Sequence, residues 1–300
     1  YAAAAKTSAR TRLDEGHWPY HGGGLLTEPF LGGTDPERIG SRMSNILSIP
    51  VKDNEKLRSL LGFIDGDVEL QTLWRCSNVL AVDRMGYNDH GPVHVKIVAN
   101  GALKMLRLLT VKGIEPSIKA NYKMSVEDAE VVVVLASVMH DLGMAFVRED
   151  HEVYSVPISL EIMRRCLPAL YSAEEAAVVS SEVVHAIVSH HEPHRPLTLE
   201  AGVVKVADAL DMEKGRARVP YEAGRMDIHL ISARAIERVR IEEGEEKPIT
   251  IGIEMSNPAG IFQVDNLLWT KIKGSGIERY IHVEAAIKEG AEKRVVKFDI

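Results

Sequence analysis

The sequence has little cysteine and lacks a hydrophobic run long enough to cross a membrane. Its two cysteines, Cys76 and Cys166, lie far apart and in no metal-ligand spacing. This excludes a disulfide scaffold and favours a reducing compartment. The longest apolar run, Val131 to Met139, is far shorter than the roughly 20 residues that a membrane span requires. Because no segment resembles a secretory signal either, we expect a cytoplasmic protein that does not bind membranes.

An excess of basic residues is also missing. The chain has 36 Lys and Arg against 43 Asp and Glu, which gives a net charge of −7. It has no long basic block that could follow a phosphate backbone, so general nucleic-acid binding is not expected. With 300 residues, of which 45% are hydrophobic, the chain can bury one large core or two modest ones. Its compositional anomaly is the presence of 12 histidines.

The hydrophobic pattern divides the chain into three parts. Residues 1–42 mix an alanine run, scattered basic residues and Gly-rich turns without periodicity, which predicts an N-terminal extension or a leader foreign to the native protein. Residues 43–222 become helical in pattern from about Leu70 onward and predict a helical bundle. Residues 223–300 alternate apolar and polar positions and predict a small α+β domain. The expected fold class is therefore mainly α, a helical bundle followed by this small domain.

Local signals place the individual elements. Helix starts are indicated by Pro92 at a first-turn position, by the capping boxes Ser125/Asp128 and Ser172/Glu175, and by Asp150 and Thr198 as caps. In the C-terminal part, alternation predicts strands at residues 228–231, 249–255, 280–286 and 294–300, with one amphipathic helix near residues 264–272.

The stretch VVVVLASVMHDLG, from Val131 to Gly143, is the feature around which the bundle is organised. A helix this apolar must be buried, so His140 and Asp141 at its end need strong partners in the interior. A metal ion would satisfy both, because imidazole and carboxylate are metal ligands and a carboxylate can bridge two cations. The alternative is a helix C-terminus with the two polar residues in the turn and Gly143 at the C′ position.

Further residues of the metal-ligand type lie at the ends or along single faces of other predicted helices. His90 and His94 are four residues apart around the start of the Pro92 helix, so they would lie about one turn apart. Asp208 lies in an apolar helical context, where an unpaired carboxylate would cost several kcal/mol. The remaining candidates are His151, His190 and His191.

The ordered set His94, His140-Asp141 and Asp208 resembles the H…HD…D signature of the HD-domain metal-dependent phosphohydrolases. With His151 and His190 added, it resembles the dinuclear branch of that superfamily. The stretches VVHAIVSHHE and KVADALD strengthen the resemblance, which covers roughly residues 70–220. Met144 stands where many members have a lysine after the His-Asp pair, and no GYP motif follows His191. These two departures argue against cyclic-dinucleotide hydrolysis.

The resemblance implies a two-metal site. One ion would be held by His94, His140, Asp141 and Asp208, and the second by Asp141 as a bridge together with His151 and His190. His90 and His191 match positions that hold a third metal or a further ligand in some relatives. The resemblance also implies that Asp141 has the central catalytic role, since it would set the separation of the ions. A mixed nitrogen and oxygen ligand set suits Mn, Fe, Ni or Zn better than Mg.

A phosphorylated substrate also requires cations near the site. Basic residues adjacent in sequence to the ligand candidates are Arg84, Arg148, Arg195, Lys205 and Arg216. Lys205 is the strongest candidate for a catalytic role because it lies one helical turn before Asp208. It would equally serve as an ion-pair partner for Asp208 or Asp211, and each arginine could equally be a solvated surface charge.

The sequence leaves three functions open. The leading one is a metal-dependent phosphohydrolase that cleaves a phosphoester of a nucleotide, a dinucleotide or a small phosphomonoester with a metal-activated water. The second is a di-iron oxygenase of the same superfamily, and the third is a non-catalytic regulator that senses a ligand. The strands after Pro220 also predict homo-oligomer formation through an exposed sheet edge of the C-terminal domain.

Overall fold

The computed structural model describes residues 46–214, 228–289 and 292–298, and for residues 228–230 and 288–298 the backbone alone. Ten α-helices are present in these ranges: α1 Glu55–Gly66, α2 Val68–Asn78, α3 Pro92–Val111, α4 Ser117–Tyr122, α5 Val126–Met139, α6 His151–Cys166, α7 Ala173–Ser189, α8 Leu199–Ala209, α9 Ile228–Arg234 and α10 Trp269–Lys273. Two π-helical segments, Val79–Arg84 and Gln263–Leu268, follow α2 and precede α10. Short 3-10 turns lie at Leu142–Ala145, Leu167–Ala169, Pro258–Gly260 and Glu278–Tyr280.

The helix starts follow the capping signals in the sequence. Ser125 and Ser172 both form complete capping boxes, and the Thr198 side chain accepts a hydrogen bond from the backbone of Ala201. Pro92 is the first residue of α3, as predicted. Asp150 precedes α6 but makes no side-chain cap, because its backbone is left-handed with φ 54°. Here the helix was predicted correctly and its cap was not.

Helix α5 is the centre of the bundle. Every residue from Asp128 to Met139 is buried, and the helix packs against α1, α3, α4, α7 and α8. Since neighbours cover all of its faces, an almost uninterrupted apolar sequence is the composition that this position requires. The end of α5 therefore delivers His140 and Asp141 into the interior, at 0% and 5% exposure.

The C-terminal part forms one mixed four-stranded sheet in the order β1-β2-β3-β4, with strands Ile236–Glu243, Ile249–Met255, Ile281–Glu289 and Glu292–Phe298. The pairs β1–β2 and β3–β4 are antiparallel, while β2 and β3 are parallel. The parallel pair requires a crossover, and the chain makes it through the helical segment from Pro258 to Lys273. This crossover brings α10 against α8.

Two sequence predictions for this part were wrong. Residues 228–231 belong to helix α9, and β1 was not predicted. The alternating run at 228–231 is only four residues long and fits a helical turn as well as a strand. Most residues of β1 are charged, as its sequence IERVRIEE shows, so it lacks the apolar alternation of a half-buried strand.

The predicted fold class, mainly α with a small α+β part at the C-terminus, is confirmed. One face of β2 and one face of β3 join the same hydrophobic core as the helices, and the described residues form one compact unit. The predicted domain bounds stay predictions, because residues 1–42 and the predicted boundary between residues 222 and 223 lie outside the described residues. Homo-oligomer formation through the sheet also stays a prediction. Among the described helices, none is long and apolar enough to span a membrane.

Candidate metal centre

The ends of five helices converge at one point of the bundle. His94 lies in the first turn of α3, His140 and Asp141 follow α5, and His151 is the first residue of α6. His190 caps the C-terminus of α7, and Asp208 lies near the end of α8. Because each of these helices is positioned by its apolar face, the convergence of the polar ends is a consequence of core packing.

The first cluster consists of His94, His140 and Asp141, all buried, with ligand atoms within 4.8 Å of one another. Nε2 of His94 and Nε2 of His140 each lie 3.3 Å from Oδ2 of Asp141. Oδ1 of Asp208 adjoins the same atoms, at 3.4 Å from Nε2 of His94 and 3.8 Å from Nε2 of His140. The start of α3 and the ends of α5 and α8 therefore contribute four side chains to one small volume.

The second cluster shares Asp141 with the first and adds His151 and His190. Oδ1 of Asp141 lies 3.1 Å from Nε2 of His151 and 3.7 Å from Nε2 of His190. The two oxygens of this carboxylate thus face different clusters. The structure contains two adjacent buried His/Asp triads, an arrangement consistent with a dinuclear metal site.

Hydrogen bonds from Nδ1 to backbone carbonyls set the ring orientation of three of the four histidines. Nδ1 of His140 lies 2.8 Å from the carbonyl oxygen of Ser137. Nδ1 of His151 lies 2.9 Å from that of Arg148, and Nδ1 of His190 lies 2.6 Å from that of Ile187. A carbonyl oxygen can only accept, so Nδ1 carries a proton, and in the neutral, metal-binding form of each ring Nε2 presents its lone pair to the centre. Such support of the ligand ring is typical of metal-binding histidines.

The approach of His94 to His140 tests whether the residues fit a metal ion. Their Nε2 atoms lie 3.1 Å apart, and Nδ1 of His94 lies 2.7 Å from Oδ2 of Asp211. With both Nδ1 positions protonated, a positive charge is needed between the two Nε2 atoms and the carboxylates, and either a proton on one Nε2 or a bound metal ion can supply it. The residues therefore fit a divalent metal.

The electrostatics of the site favour bound positive charge. Burial acts to lower the pKa of His140, but the carboxylate of Asp141 outweighs it and raises that pKa to about 9. Burial acts to raise the pKa of Asp208, yet Lys271 and the neighbouring imidazoles hold it well below its usual range. Burial likewise acts to raise the pKa of Asp141, but His140 and the hydrogen bonds from the imidazoles hold it well below its usual range. Asp141 and Asp208 are therefore both ionised at neutral pH, which is the form that binds a cation.

Lys271 is a site residue that sequence reasoning missed. It comes from α10, and its Nζ lies 3.1 Å from Oδ2 of Asp208 and 2.7 Å from the carbonyl oxygen of His190. Asp211, the partner of His94, was noted in the sequence only as a possible ion-pair partner of Lys205. The sequence feature that could have identified Asp211 is the occurrence of two carboxylates, Asp208 and Asp211, within about one turn of an apolar helical pattern. No local signal identifies Lys271, because it lies 63 positions from Asp208 in the sequence and is placed beside it only by the crossover.

A cavity of about 340 Å³ opens onto the second triad, all three members of which line it, and onto Asp208. The bundle contributes the polar residues Asn88, Asp141, Arg148, His151 and Asp208 to its wall, and the C-terminal part contributes Gln263, Asn266, Thr270 and Lys271. Residues from both parts of the fold therefore form the wall.

The secondary histidines adjoin the triads. The ring centroid of His90 lies 5.6 Å from that of His94, and that of His191 lies 5.6 Å from that of His151. Both residues line the cavity, with Nδ1 of His90 lying 2.8 Å from the carbonyl of Asn88. Their roles as further ligands stay predictions.

The predicted basic residues take different positions. Arg148 lines the cavity, and its guanidinium carbon lies 4.7 Å from the ring centroid of Tyr87. Arg84 and Arg195 are exposed and do not line the cavity, whereas Arg216 lies outside the described residues.

Lys205 is fully buried and faces the turn after α7. Its Nζ donates to the carbonyls of Ser189 and His194 at 3.2 Å and forms an ion pair with Glu192 at 3.3 Å. The ion pair with Asp208 is made by Lys271 instead. These contacts give Lys205 a structural role in holding the turn, and its predicted catalytic role stays a prediction.

Comparison with known proteins agrees with this site. Residues 93–213 match the family model described as HD domain, and this range includes all six principal ligand candidates. An uncharacterized protein of Methanocaldococcus jannaschii is 46% identical to this chain over 244 residues, which cover 79% of this chain and 94% of the relative. The similarity therefore extends beyond the HD domain into the flanking parts of the fold.

Proposed function

Because the chain belongs to the HD-domain family and buries two adjacent His/Asp triads, we propose that it is a metal-dependent phosphohydrolase of small phosphorylated substrates. The position of Asp141 is the observation that carries the proposal. Its Oδ2 lies beside His94 and His140, and its Oδ1 beside His151 and His190. A carboxylate with each oxygen turned to a different set of imidazoles is suited to bridge two cations.

The donor set indicates which ions the site would hold. His94, His140, Asp141 and Asp208 would hold one ion, and Asp141, His151 and His190 the other, with nitrogen donors that favour Mn, Fe, Ni or Zn. Bound there, a pair of such ions would supply an activated water and polarise a phosphate oxygen. The protein's own part is to hold the four Nε2 atoms at fixed positions through the hydrogen bonds at Nδ1.

The charges of the cavity support a dependence on metal. Its described wall includes the four carboxylates of Asp141, Glu192, Asp208 and Asp211, and the two permanent cations of Arg148 and Lys271. A phosphate would be repelled by this excess of negative charge. Divalent ions bound at the triads would reverse the sign of the local charge and allow an anionic substrate to approach.

The walls of the cavity favour a nucleotide as the substrate. Tyr87 offers an aromatic face, Asn88 and Asn266 offer amide donors and acceptors, and Met212 and Leu267 offer apolar contacts. This combination suits the stacking and edge hydrogen bonding of a base. The volume of about 340 Å³ lies at the small end of the usual range for ligand pockets, about 300–1,000 Å³, which favours a mononucleotide.

The test begins with metal analysis of the purified full chain, followed by phosphate release from a panel of nucleotides and small phosphomonoesters. The assay uses protein loaded anaerobically with Mn²⁺, and His140→Ala as the site variant. We expect phosphate release without oxygen, and its loss in the variant. Oxygen-dependent product formation with iron would instead identify an oxygenase. A chain that binds no metal and is unchanged by His140→Ala would favour a regulatory role.

A further inference from the structure

A lysine from outside the HD domain reaches the metal centre. Lys271 lies in α10, beyond the matched residues 93–213, and its Nζ adjoins Asp208 and the carbonyl oxygen of His190. We propose that Lys271 binds the phosphate group of the substrate and so supplies, from outside the HD domain, a cation whose charged group already contacts a metal-ligand candidate. This inference rests on the proposed phosphohydrolase function.

The helical segment from Gln263 to Lys273, which carries Lys271, turns mostly polar side chains to the cavity. Gln263, Asn266, Thr270 and Lys271 all line it, together with the apolar Leu267. The opposite side carries Leu268 and Ile272, which are fully buried, and the helix packs against α8. The apolar side therefore fixes the helix on the bundle, and the polar side is held towards the site.

The Lys271 ammonium can donate a hydrogen bond to a further partner. It has three N–H donors, and in the described part of the chain two of them are engaged, by Oδ2 of Asp208 and by the carbonyl oxygen of His190. Its side chain keeps 21% of its surface exposed, on the side of the cavity. A phosphate oxygen at the centre would find a charge-assisted donor already oriented by two hydrogen bonds.

The other basic residues near the site are engaged elsewhere. Lys205 is fully buried against the turn after α7, and Arg148 lies over the ring of Tyr87. Met144, which follows the His-Asp pair, is fully buried and apolar, so this turn supplies no cation. Among the described residues of the cavity wall, Lys271 is thus the permanent cation in direct contact with a ligand candidate.

The chain offers a matched control for this inference. Lys273 lies two residues further along α10, is exposed, and does not line the cavity. Its Nζ lies 4.8 Å from the ring centroid of Trp269. Lys271→Met and Lys273→Met remove the same charge from the same helix, but we expect only the first to affect phosphate. Lys271→Arg keeps the charge and serves as the conservative variant.

The experiment measures binding of inorganic phosphate to the Mn²⁺-loaded full chain by calorimetry, together with metal content and steady-state kinetics. We expect Lys271→Met to keep its metal and to bind phosphate about 10- to 100-fold more weakly, the usual effect of losing a charge-assisted hydrogen bond. KM should rise more than kcat falls. Binding of adenosine, which has no phosphate, should be unchanged, and Lys271→Arg should keep most of the phosphate affinity.

Three results would overturn the inference, and they separate it from the proposed function. Unchanged phosphate affinity in metal-loaded Lys271→Met would refute the role of Lys271 while leaving the hydrolase intact. Loss of metal together with phosphate would show that Lys271 acts only by positioning Asp208. A wild-type chain that binds metal but neither binds nor releases phosphate would refute the proposed function, and the inference with it.

Discussion

Oδ2 of Asp211 lies 2.7 Å from Nδ1 of His94, and both side chains are buried. The two residues are far apart in sequence and come from α3 and from the turn after α8. The contact gives the His94 ring a carboxylate as its Nδ1 partner, whereas the shortest Nδ1 contacts of His140, His151 and His190 are to backbone carbonyls. A carboxylate at this position increases the basicity of the opposite nitrogen and so strengthens its bond to a metal.

Asp211→Ala should therefore weaken metal binding without removing a ligand. We expect a loss of about 10- to 100-fold in metal affinity, the usual effect of removing a carboxylate that supports a ligand histidine. Competition with a chromogenic chelator measures it. Asp53→Ala, at an exposed position far from the site, is the control. Equal affinities in wild type and Asp211→Ala would contradict the assigned role.

The sharing of Asp141 by two triads predicts different metal stoichiometries for different variants. His151→Ala should remove one of two ions, because it affects only the second triad. Asp141→Ala should remove or severely weaken both, because it takes one oxygen from each triad. Metal content after gel filtration, measured by mass spectrometry, distinguishes the two outcomes. Identical metal content in the two variants would argue against a bridging carboxylate.

Metal removal should lower the thermal stability of the bundle. The ligand candidates come from five helices, so an ion that binds only the folded state stabilises it by mass action. At a metal concentration about 100 times the dissociation constant, the gain is about 2.7 kcal/mol. We expect a chelator to lower the Tm of the wild type and to leave the Tm of Asp141→Ala, which takes a ligand from both triads, nearly unchanged. A chelator-independent Tm in the wild type would contradict a filled site.

Gly143 allows α6 to approach the end of α5. A Cβ at this position would lie 2.1 Å from the carbonyl oxygen of His151, so Gly143→Ala must displace the start of α6 and with it the His151 ring. We expect a loss of about 1–3 kcal/mol in the free energy of unfolding, accompanied by weaker metal binding.

Gly62 is the matched control for this substitution. It lies inside α1, and a Cβ there meets nothing within 4 Å. Gly62→Ala should stabilise the protein by up to about 1 kcal/mol, because alanine has the higher helix propensity. Urea unfolding of both variants gives the comparison. A Gly143→Ala variant as stable as the wild type would show that the two helices can separate at no cost.

The lowered pKa of Asp128 predicts that the free energy of unfolding falls at acid pH. Burial acts to raise its pKa, but hydrogen bonds from Lys56, Ser125 and Tyr171 outweigh this and lower the pKa below its usual value. A lowered pKa in the folded state contributes stability above the unfolded value of about 4. This contribution is lost as the pH falls through the folded value. Asp128→Asn should therefore be less stable than the wild type at neutral pH, by about 1–2 kcal/mol.

The measurement is urea unfolding between neutral pH and about pH 3. The difference between wild type and Asp128→Asn should shrink through the acid range, because the wild-type carboxyl becomes protonated. Glu127→Gln is the control, since Glu127 lies in the same turn of α5 but is exposed. A difference that stays constant with pH would show that charge at Asp128 contributes no stability.

The placement of the ligand candidates illustrates how far sequence reasoning reaches. His94, His140, Asp141, His151, His190 and Asp208 were proposed together from their helical context, and the structure brings all six to one point. The same reasoning predicted that Lys205 acts beside Asp208, because the two residues are about one helical turn apart. Lys205 instead contacts Ser189, Glu192 and His194, because a fully buried ammonium needs more acceptors than one shared carboxylate provides.

The sequence by itself determined the helices of the bundle and the depth at which α5 lies. Caps, first-turn proline and apolar periodicity act over a few residues, and these local interactions do not depend on the rest of the fold. It also determined which residue types are present to bind a metal. Only the tertiary structure decided that Asp211 supports His94 and that Lys271 pairs with Asp208. Both contacts depend on how distant elements pack: α3 against α8 in the first case and α10 against α8 in the second. The geometry of such packing is set by the shape of the whole core and is encoded in no single stretch of the chain.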